Sequence, residues 1–410
     1  MVSTWRAGWR VAVVGAGPGG ISTAIAMKKA GYDVRVYEKT DEPRPLGGAV
    51  LLPVPVLAVL RSYGIDIGDI FGRKTVMRFC NSKGKLRAVL PFNKETEKAF
   101  GIEGWLYGTL RPIVFGKMLD AAKVLDPGML FPSHALTFYE DRGEDVVLHF
   151  ENGAEVVADL LIGADGIRSV TAAQAFGDLK PFHVGLRAFR AWCEDLPGLS
   201  GDVGVVHNAR NVQASYYPIQ LDGGKPGFAW WVIERSDPKE APPVDPVAHV
   251  RALLSQFAHP MPVVLDHTDL DRMYRWEIYN RPPLQSWSSG RFVGVGDAVH
   301  PLSPYGGYGM GMAIEDGYFL ARAFAGGDLT DRSVVDRACA RYEGERVAGA
   351  NQYMAFARKL GARLHDSPAP VALLRDFVLD NTWMMQRMLN RQYIALADRM
   401  SLALRELHVT

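Results

Sequence analysis

The order of apolar and polar positions predicts a strand, a helix and a second strand near the start of the chain. Arg10–Val14 is a short, largely β-branched apolar run of the kind found in strands that are buried on both faces. Ala24 and Met27 fall on one helical face, and Val34 and Val36 then alternate as in a strand. The segment therefore predicts a β-α-β unit.

Glycines occupy the turn between the first predicted strand and the helix. Gly15, Gly17 and Gly20 have the spacing G-x-G-x-x-G. In this pattern the first glycine allows a sharp turn, the second a close approach to pyrophosphate and the third tight packing of helix on sheet. The free N–H groups of the helix would face the phosphates. Glu38 ends the second strand, where a carboxylate accepts hydrogen bonds from an unphosphorylated ribose, so the pattern predicts dinucleotide binding.

Two later segments repeat the order of strand, turn and helix. A buried strand at residues 159–162 runs into a glycine turn that contains Asp165. This residue is either a cap of the next helix or a cofactor ligand, and the local sequence favours the cap. Another strand, at residues 292–295, leads to Asp297, a candidate acceptor for sugar hydroxyls. A helix predicted over residues 310–325 would point its N-terminus at the same ligand.

The remaining segments differ in composition and in the pattern of apolar residues. Residues 182–287 are rich in aromatic and strand-like runs, which predict an antiparallel sheet with a helix at residues 247–258, and residues 77–92 predict a hairpin. Residues 328–410 are helical in pattern. We therefore expect a mixed α/β chain made of three parts: a Rossmann-type dinucleotide-binding domain (1–75, 101–178 and 285–345), a smaller antiparallel β-sheet substrate domain (76–100 and 179–284) and a helical C-terminal region (346–410).

Charge and cysteine content narrow the functional classes. The 410 residues include 46 basic and 45 acidic ones, and a net charge of +1 does not indicate a nucleic-acid partner. Cys80, Cys193 and Cys339 form no C-x-x-C pair, so we expect neither a disulfide scaffold nor a metal site. We expect a reducing, cytoplasmic environment. Met1 leads almost directly into the first strand, and no apolar run reaches the ~20 residues of a membrane span. We expect a soluble protein without a signal segment or a membrane partner.

Three motifs resemble those of a known enzyme family. They are GAGPGG at residues 15–20 followed by Glu38, GADGIRS at residues 163–169, and GRFVGVGDAVHP at residues 290–301. Occurring in this order over nearly the whole chain, they resemble the FAD-dependent aromatic hydroxylases, the single-component flavoprotein monooxygenases of the para-hydroxybenzoate and salicylate hydroxylase type. One departure is Gly311, where many relatives carry Asn.

The resemblance implies FAD as the cofactor and NAD(P)H as a transient co-substrate. It further implies that reduced flavin and molecular oxygen form a C4a-hydroperoxide, which hydroxylates a small phenolic or heteroaromatic substrate. Arg44 could steady the cofactor near the ribose or be a solvated loop residue. Together, motifs and resemblance predict these cofactor-binding residues: Gly15, Ala16, Gly17, Gly20, Glu38, Lys39, Arg44, Arg111, Asp165, Gly296, Asp297, Gly309, Met310 and Gly311.

The sequence says less about the catalytic side chains. We select Arg190 and Tyr217, whose strands should floor the substrate cavity, and Pro304, Tyr305 and Tyr308, whose loop should face the flavin. Polar residues of this kind more often have a structural role than act as a general base. A phenolic substrate is activated by its own deprotonation, so the protein would mainly have to orient it for the reaction. The substrate, the choice between NADH and NADPH, and the choice between monomer and homodimer stay open.

Three other functions are compatible with the same fold. A flavin-dependent halogenase would carry W-x-W-x-I-P, which residues 230–234 do not match. A flavin-dependent reductase or dehydrogenase remains an alternative, because no residue by itself indicates that oxygen is activated. A protein that holds FAD without oxygenating a substrate is the third.

Overall fold

The structure is a computed structural model of the chain. It describes residues 9–43, 47–66, 68, 73–92, 94–177, 179–194, 196, 198–391 and 404, without the side chains of Arg73, Glu95 and Pro304. The strands are β1 (Arg10–Val14), β2 (Asp33–Tyr37), β3 (Ala49–Pro53), β4 (Arg73–Asn81), β5 (Leu86–Val89), β6 (Leu106–Leu110), β7 (Leu130–Phe131), β8 (Leu136–Asp141), β9 (Val146–Phe150), β10 (Glu155–Ala158), β11 (Leu160–Gly163), β12 (Phe182–Cys193), β13 (Val203–Asn208), β14 (Val212–Gln220), β15 (Pro226–Arg235), β16 (Tyr274–Asn280), β17 (Ser288–Ser289) and β18 (Phe292–Gly294). The helices are α1 (Pro18–Lys29), α2 (Val54–Ser62), α3 (Lys94–Phe100), α4 (Arg111–Leu125), α5 (Val170–Phe176), α6 (Pro246–Leu254), α7 (Gly309–Phe324), α8 (Arg332–His365), α9 (Ala369–Asn381) and α10 (Met384–Leu389).

A six-stranded sheet contains the predicted β-α-β unit. Its order is β17-β18-β11-β1-β2-β7, and β1 runs parallel to both β2 and β11. Val11 and Val13 face the main hydrophobic core, whereas Ala12 and Val14 face a second core under the β8-β9-β10 sheet. The strand is therefore buried on both faces, as its apolar run predicts.

The strand ends of this sheet bring the three motifs to one edge. Val14 is paired with Tyr37 in β2 and with Gly163 in β11, and Gly163 is paired with Gly294 in β18. These strands are parallel, so the segments that follow them leave the sheet at the same edge, which is where open α/β sheets bind ligands. The predicted α/β fold class is confirmed in this respect.

A nine-stranded sheet forms the other large layer, in the order β16-β12-β15-β14-β13-β4-β6-β3, with β5 paired to β4. Most of its pairs are antiparallel, as expected, but β13 pairs with β4 in parallel. Two of its strands, β3 and β6, lie within residues that we assigned to the dinucleotide-binding domain. The domain boundaries stay a prediction, since this sheet draws strands from both sides of them.

The helices pack mainly against one another and against strands of the two large sheets. Helix α1 packs against α7 and α4, and α8 packs along α7. The C-terminal helices α9 and α10 contact β5. Within the described part of the chain, no helix is both long enough and apolar enough to cross a membrane.

Candidate active site

The glycine turn after β1 is shaped by contacts that exclude side chains. Gly15 has φ +103°, and a Cβ there would lie 2.4 Å from the carbonyl oxygen of Ala164. A Cβ on Gly20 would lie 1.9 Å from the carbonyl oxygen of Gly15. A Cβ on Gly17, in contrast, would meet no described atom within 4 Å, so this backbone faces open space at the start of α1. The turn is thus closed against the sheet and open toward a cavity.

Glu38 is tied to the same turn. Its Oε2 accepts a hydrogen bond from the Ala16 N–H at 2.8 Å, and its Oε1 accepts from the N–H and hydroxyl of Thr40, both at 3.0 Å. The neighbouring Lys39 is exposed, and Arg44 lies outside the described residues. Contacts of these residues with a ribose stay a prediction.

The carboxylate of Asp165 caps α5. It accepts hydrogen bonds from the N–H groups of Val170 and Thr171 and from the hydroxyls of Ser169 and Thr171, at 2.6–3.0 Å. Its chain neighbours Ala164 and Gly166 line the cavity, and Asp165 does not. The structure thus gives this side chain the capping role that the local sequence favours, and its contact with the cofactor stays a prediction.

Asp297 lines the cavity and is exposed to it, close to several basic side chains. Arg281 holds its backbone, because Nη2 donates to the carbonyl oxygens of Asp297 and Ala298 at 2.8 and 2.6 Å. The surrounding protein reduces contact with bulk water and raises the pKa of the Asp297 carboxyl group, while the charges of His300, Arg111 and Arg281 oppose this shift. Arg111 lines the same cavity, and its buried Nε has no hydrogen-bond partner among the described residues.

One cavity of about 440 Å³ joins the glycine turn to the nine-stranded sheet. Of the residues that we predicted, these line it: Gly17, Arg111, Arg190, Tyr217, Gly296, Asp297, Tyr305, Tyr308, Gly309 and Met310. Gly15, Ala16, Gly20, Glu38 and Gly311 are not part of the lining. The side chain of Pro304 is outside the described set.

The sheet end of the cavity is aromatic and carries one guanidinium group. Arg190 lies between two rings, with Cζ 4.6 Å from the centre of Tyr274 and 4.3 Å from that of Trp276. Its Nε is buried without a hydrogen-bond partner in the described part of the chain, and burial lowers the pKa of the guanidinium group. Tyr217 packs edge-on against Trp231, with ring centres 5.5 Å apart, and burial raises the pKa of its phenol.

The segment at residues 301–309, which we call the cavity loop, forms the remaining wall. Tyr305 donates a hydrogen bond from this loop to His365, and Tyr308 donates one to Glu315. From helix α8, Tyr353 donates to the carbonyl oxygen of Gly306 at 2.5 Å. The loop is therefore fastened at three points by side chains.

A buried ionic network supports this loop from behind. Arg346 of α8 lies 3.1 Å from Oε2 of Glu315 and 2.9 Å from Oδ1 of Asp316, and both carboxylates are fully buried. Asp316 also accepts from the Gly296 N–H at 2.9 Å and lies 2.5 Å from Nε2 of His300. The network thus joins α7 and α8 to the turn that carries Asp297.

The spacing around Gly311 explains one departure from the resembled family. A Cβ on Gly311 would lie 2.7 Å from the Tyr308 ring and 2.9 Å from a methyl group of Val56. An Asn at this position would collide with both side chains. Glycine here is the consequence of packing the Tyr308 ring over the start of α7.

Comparison with known proteins gives the same family. A family model described as an FAD binding domain matches residues 117–357, and one described as an NAD(P)-binding Rossmann-like domain matches residues 13–50. The 6-hydroxynicotinate 3-monooxygenase of Pseudomonas fluorescens is 30% identical over 324 residues, which are 76% of this chain and 82% of that protein. The chain belongs to the FAD-dependent aromatic hydroxylases. It is an FAD-dependent monooxygenase.

Two further relatives of this hydroxylase show how far the similarity extends. The aurachin C monooxygenase/isomerase of Stigmatella aurantiaca is 25% identical over 362 residues, which are 87% of this chain and 90% of that protein. The solved structure of Klebsiella pneumoniae HpxO with FAD and uric acid has a TM-score of 0.79 and 22% identity, and covers 96% of both chains. The latter similarity establishes the fold.

The cavity of this hydroxylase fits FAD. Its lining includes Gly17 at the N-terminus of α1 and the cationic side chain of Arg111, which suit a pyrophosphate. Asp297 offers an open carboxylate for hydroxyl groups, and Gly309 and Met310 present the N-terminus of α7. These four residues and Gly17 would hold the cofactor, whose role is to activate oxygen.

Sequence reasoning missed the supporting residues of α8. Arg346, Tyr353 and His365 lie 37 to 56 residues beyond Gly309, in a segment without any motif that we assigned to a separate C-terminal region. One signal was available. Arg346 and Tyr353 are 7 residues apart, which places them on the same face of a helix, whereas His365, 12 residues further on, lies off that face and its spacing gave no signal.

Proposed function

We propose that this hydroxylase consumes NAD(P)H and molecular oxygen and adds one oxygen atom to a planar, acidic aromatic or heteroaromatic small molecule. The observation that carries the substrate class is Arg190, a buried guanidinium group stacked between Tyr274 and Trp276. Among the described residues no carboxylate forms an ion pair with it. The guanidinium group has a side-chain hydrogen bond with Tyr274. A substrate with a carboxylate, phenolate or similar anion would add the anionic partner that the described residues do not provide.

The charges along the cavity support this orientation. Arg111 and Arg190 repel each other, which adds to the burial that lowers the pKa of Arg190. A bound pyrophosphate would neutralise Arg111 and leave Arg190 as the cation available to a second, smaller ligand. The aromatic side chains beside Arg190 suit the flat faces of an aromatic ring.

The names of two similar proteins are consistent with such a ligand. One relative is a 6-hydroxynicotinate 3-monooxygenase, and HpxO was crystallised with uric acid. Hydroxynicotinate and uric acid are both planar, acidic heterocycles. We place the substrate of this protein in the same chemical class without choosing between them.

The co-substrate would bind transiently. The NAD(P)-binding Rossmann-like match at residues 13–50 covers the same glycine turn that fits the pyrophosphate of FAD. A nicotinamide nucleotide then has to reach the flavin from outside this turn. The predicted C4a-hydroperoxide route is part of the same proposal, and the cavity loop with the aromatic sheet would exclude water from it.

Turnover in the presence of labelled oxygen tests the proposal. The FAD-loaded protein would be mixed with NADH or NADPH and a panel of aromatic acids, each paired with its neutral amide. We expect an acid, and not its amide, to accelerate NAD(P)H oxidation and to yield a product that contains one labelled oxygen atom. Peroxide as the only oxygen product with every acid that binds would replace the proposal by the reductase alternative.

A further inference from the structure

One loop hydrogen bond ends on a histidine that no motif contains. The Tyr305 hydroxyl contacts Nε2 of His365, the last residue of α8, and Nδ1 of His365 lies 2.8 Å from the carbonyl oxygen of Asn211. His365 has no exposed surface. The contact thus connects the cavity wall to the interior end of a 34-residue helix.

The surroundings of His365 determine its tautomer. A carbonyl oxygen only accepts hydrogen bonds, so Nδ1 must carry the proton that it donates to Asn211. Nε2 then has a free electron pair and accepts the proton of the Tyr305 hydroxyl. A protonated His365 would instead donate from Nε2 to the Tyr305 oxygen, and the Tyr305 hydroxyl proton would need another acceptor. Because a buried imidazolium is also costly, protonation favours an open arrangement in which His365 meets water.

The helix is shaped to receive the ring of Tyr305. Gly361 lies one turn before His365, and a Cβ there would come within 3.3 Å of Cδ2 of Tyr305. The ring also packs against the cluster that contains Leu186 and Ile233. The rings of Tyr305 and His365 meet edge-on, with centres 5.6 Å apart. The position of the Tyr305 side chain is therefore fixed by packing as well as by its hydrogen bond.

We propose that His365 is a positioning residue that fastens the cavity loop to the end of α8, and we call this contact the Tyr305–His365 latch. When closed, the latch keeps the loop and the following N-terminus of α7 against the bound FAD and so slows release of the cofactor. The inference rests on FAD binding in this cavity and not on the substrate or the co-substrate proposed above.

The latch also predicts a pH dependence. Burial lowers the pKa of His365 to about 4, the carbonyl of Asn211 and the charge of Asp366 oppose the shift, and Arg375 and Arg235 add to it. With Tyr305, these are the titratable and charged groups that act on His365 within the described part of the chain. The neutral form that accepts the hydrogen bond therefore persists at neutral pH, and the latch opens as the pH falls toward 4.

Release of FAD from the loaded protein tests the latch without any turnover. The rate would be followed by the rise in free-flavin fluorescence at pH 7 and at pH 4.5. We expect Tyr305→Phe and His365→Leu to release FAD several-fold faster than the wild type at pH 7. The variant His365→Gln keeps an acceptor that does not titrate, so its rate should stay close to the wild-type rate at pH 7 and change less on acidification.

Two control variants separate the latch from other effects. His207 is a second buried histidine whose pKa is lowered by burial, but it contacts Asn81 and not the cavity loop, so His207→Leu should leave FAD release unchanged at pH 7. Tyr353→Phe removes a different hydrogen bond to the loop, so FAD release should keep the acid dependence of the wild type.

Retained secondary structure, checked by circular dichroism at each pH, is required of every variant. If His365→Leu does not fold, Tyr305→Phe carries the test, because phenylalanine keeps the ring on Gly361. Wild-type release rates for Tyr305→Phe at both pH values would overturn the proposal. Equal release from His365→Gln and His365→Leu would do so as well.

Discussion

The two ends of the cavity bind by different means. At the glycine-turn end, the lining includes Gly17 at the start of α1 and Gly309 and Met310 at the start of α7, and a Cβ on Gly17 would meet no described atom, so backbone faces the cavity. At the sheet end, aromatic side chains and the guanidinium group of Arg190 face it. Backbone N–H groups suit the phosphates that every FAD carries. Side chains, in contrast, can differ between related proteins and so can suit different substrates. We therefore propose that the first end holds the cofactor and that the second selects the substrate class.

We expect the largest loss of stability and flavin content from a side chain added to the tightly packed glycine turn. Gly20→Ala places a Cβ 1.9 Å from the Gly15 carbonyl oxygen, so the turn must open, at a cost on the order of 3 kcal/mol or more. We expect purified Gly20→Ala to contain little flavin and to melt well below the wild type. Gly17→Ala is the matched variant, because its Cβ meets no protein atom; it should keep the melting temperature of the apoprotein and lower only the flavin content. Equal losses in both variants would contradict the account.

Breaking the support of the cavity loop should be the next most damaging change. Arg346→Met leaves Glu315 and Asp316 as buried carboxylates without their common cation, which costs about 3–5 kcal/mol. Chemical denaturation of the apoprotein would measure the loss. The control is Arg341→Met, which removes an exposed pair with Glu345 at 3.7 Å and should cost less than about 1 kcal/mol.

Asp297 lines the same cavity, and its replacement should change FAD affinity and apoprotein stability in opposite directions. Asp297→Asn should weaken FAD binding about 10-fold or more, because a hydrogen bond to a charged acceptor is worth about 1.5–3 kcal/mol. The raised pKa means that the folded protein holds the carboxyl proton more tightly than the unfolded chain does, so the ionised group costs stability at neutral pH and this cost disappears as the pH falls. The apoprotein of Asp297→Asn should therefore be slightly more stable than the wild type at pH 7. Calorimetric titration with FAD and thermal melts of the apoprotein would show whether the two effects have opposite signs.

The smallest of these effects concerns one hydrogen bond of the loop. Tyr353→Phe removes the 2.5 Å contact with the Gly306 carbonyl oxygen and should cost about 1 kcal/mol in the free energy of unfolding. If Tyr353→Phe lowered the free energy of unfolding as much as Arg346→Met does, the three side-chain contacts of the loop would not act independently of one another.

The backbone end could be predicted because its determinants are local. Gly15, Gly17 and Gly20 act within one turn, and the parallel register of β1 with β2 and β11 brings Glu38 and the turn at Asp165 to the same edge. The sequence offered two roles for Asp165, and the structure shows the capping contacts, which are local as well.

The side-chain end was only partly predictable. The pattern identified Arg190, Tyr217, Tyr305 and Tyr308, and all four line the cavity. It did not indicate that β3 and β6 join the second sheet or that β4 pairs in parallel with β13. It also missed the contact of His365 with Tyr305, which lies 60 residues earlier. An apolar stripe specifies that a face is buried, but not which distant segment covers it.

A titration of the FAD-loaded protein with an aromatic acid, read from the absorption spectrum of the bound flavin, tests the central claim most directly. The account predicts a saturable spectral change in the wild type. In Arg190→Met the affinity should fall about 10- to 100-fold, as expected for about 1.5–3 kcal/mol of a charged hydrogen bond. The control Arg187→Met, on the same strand but paired with Glu234 at 2.7 Å, should bind the acid as the wild type does. An unchanged affinity in Arg190→Met, with FAD retained, would contradict the assignment of the sheet end to an acidic aromatic substrate.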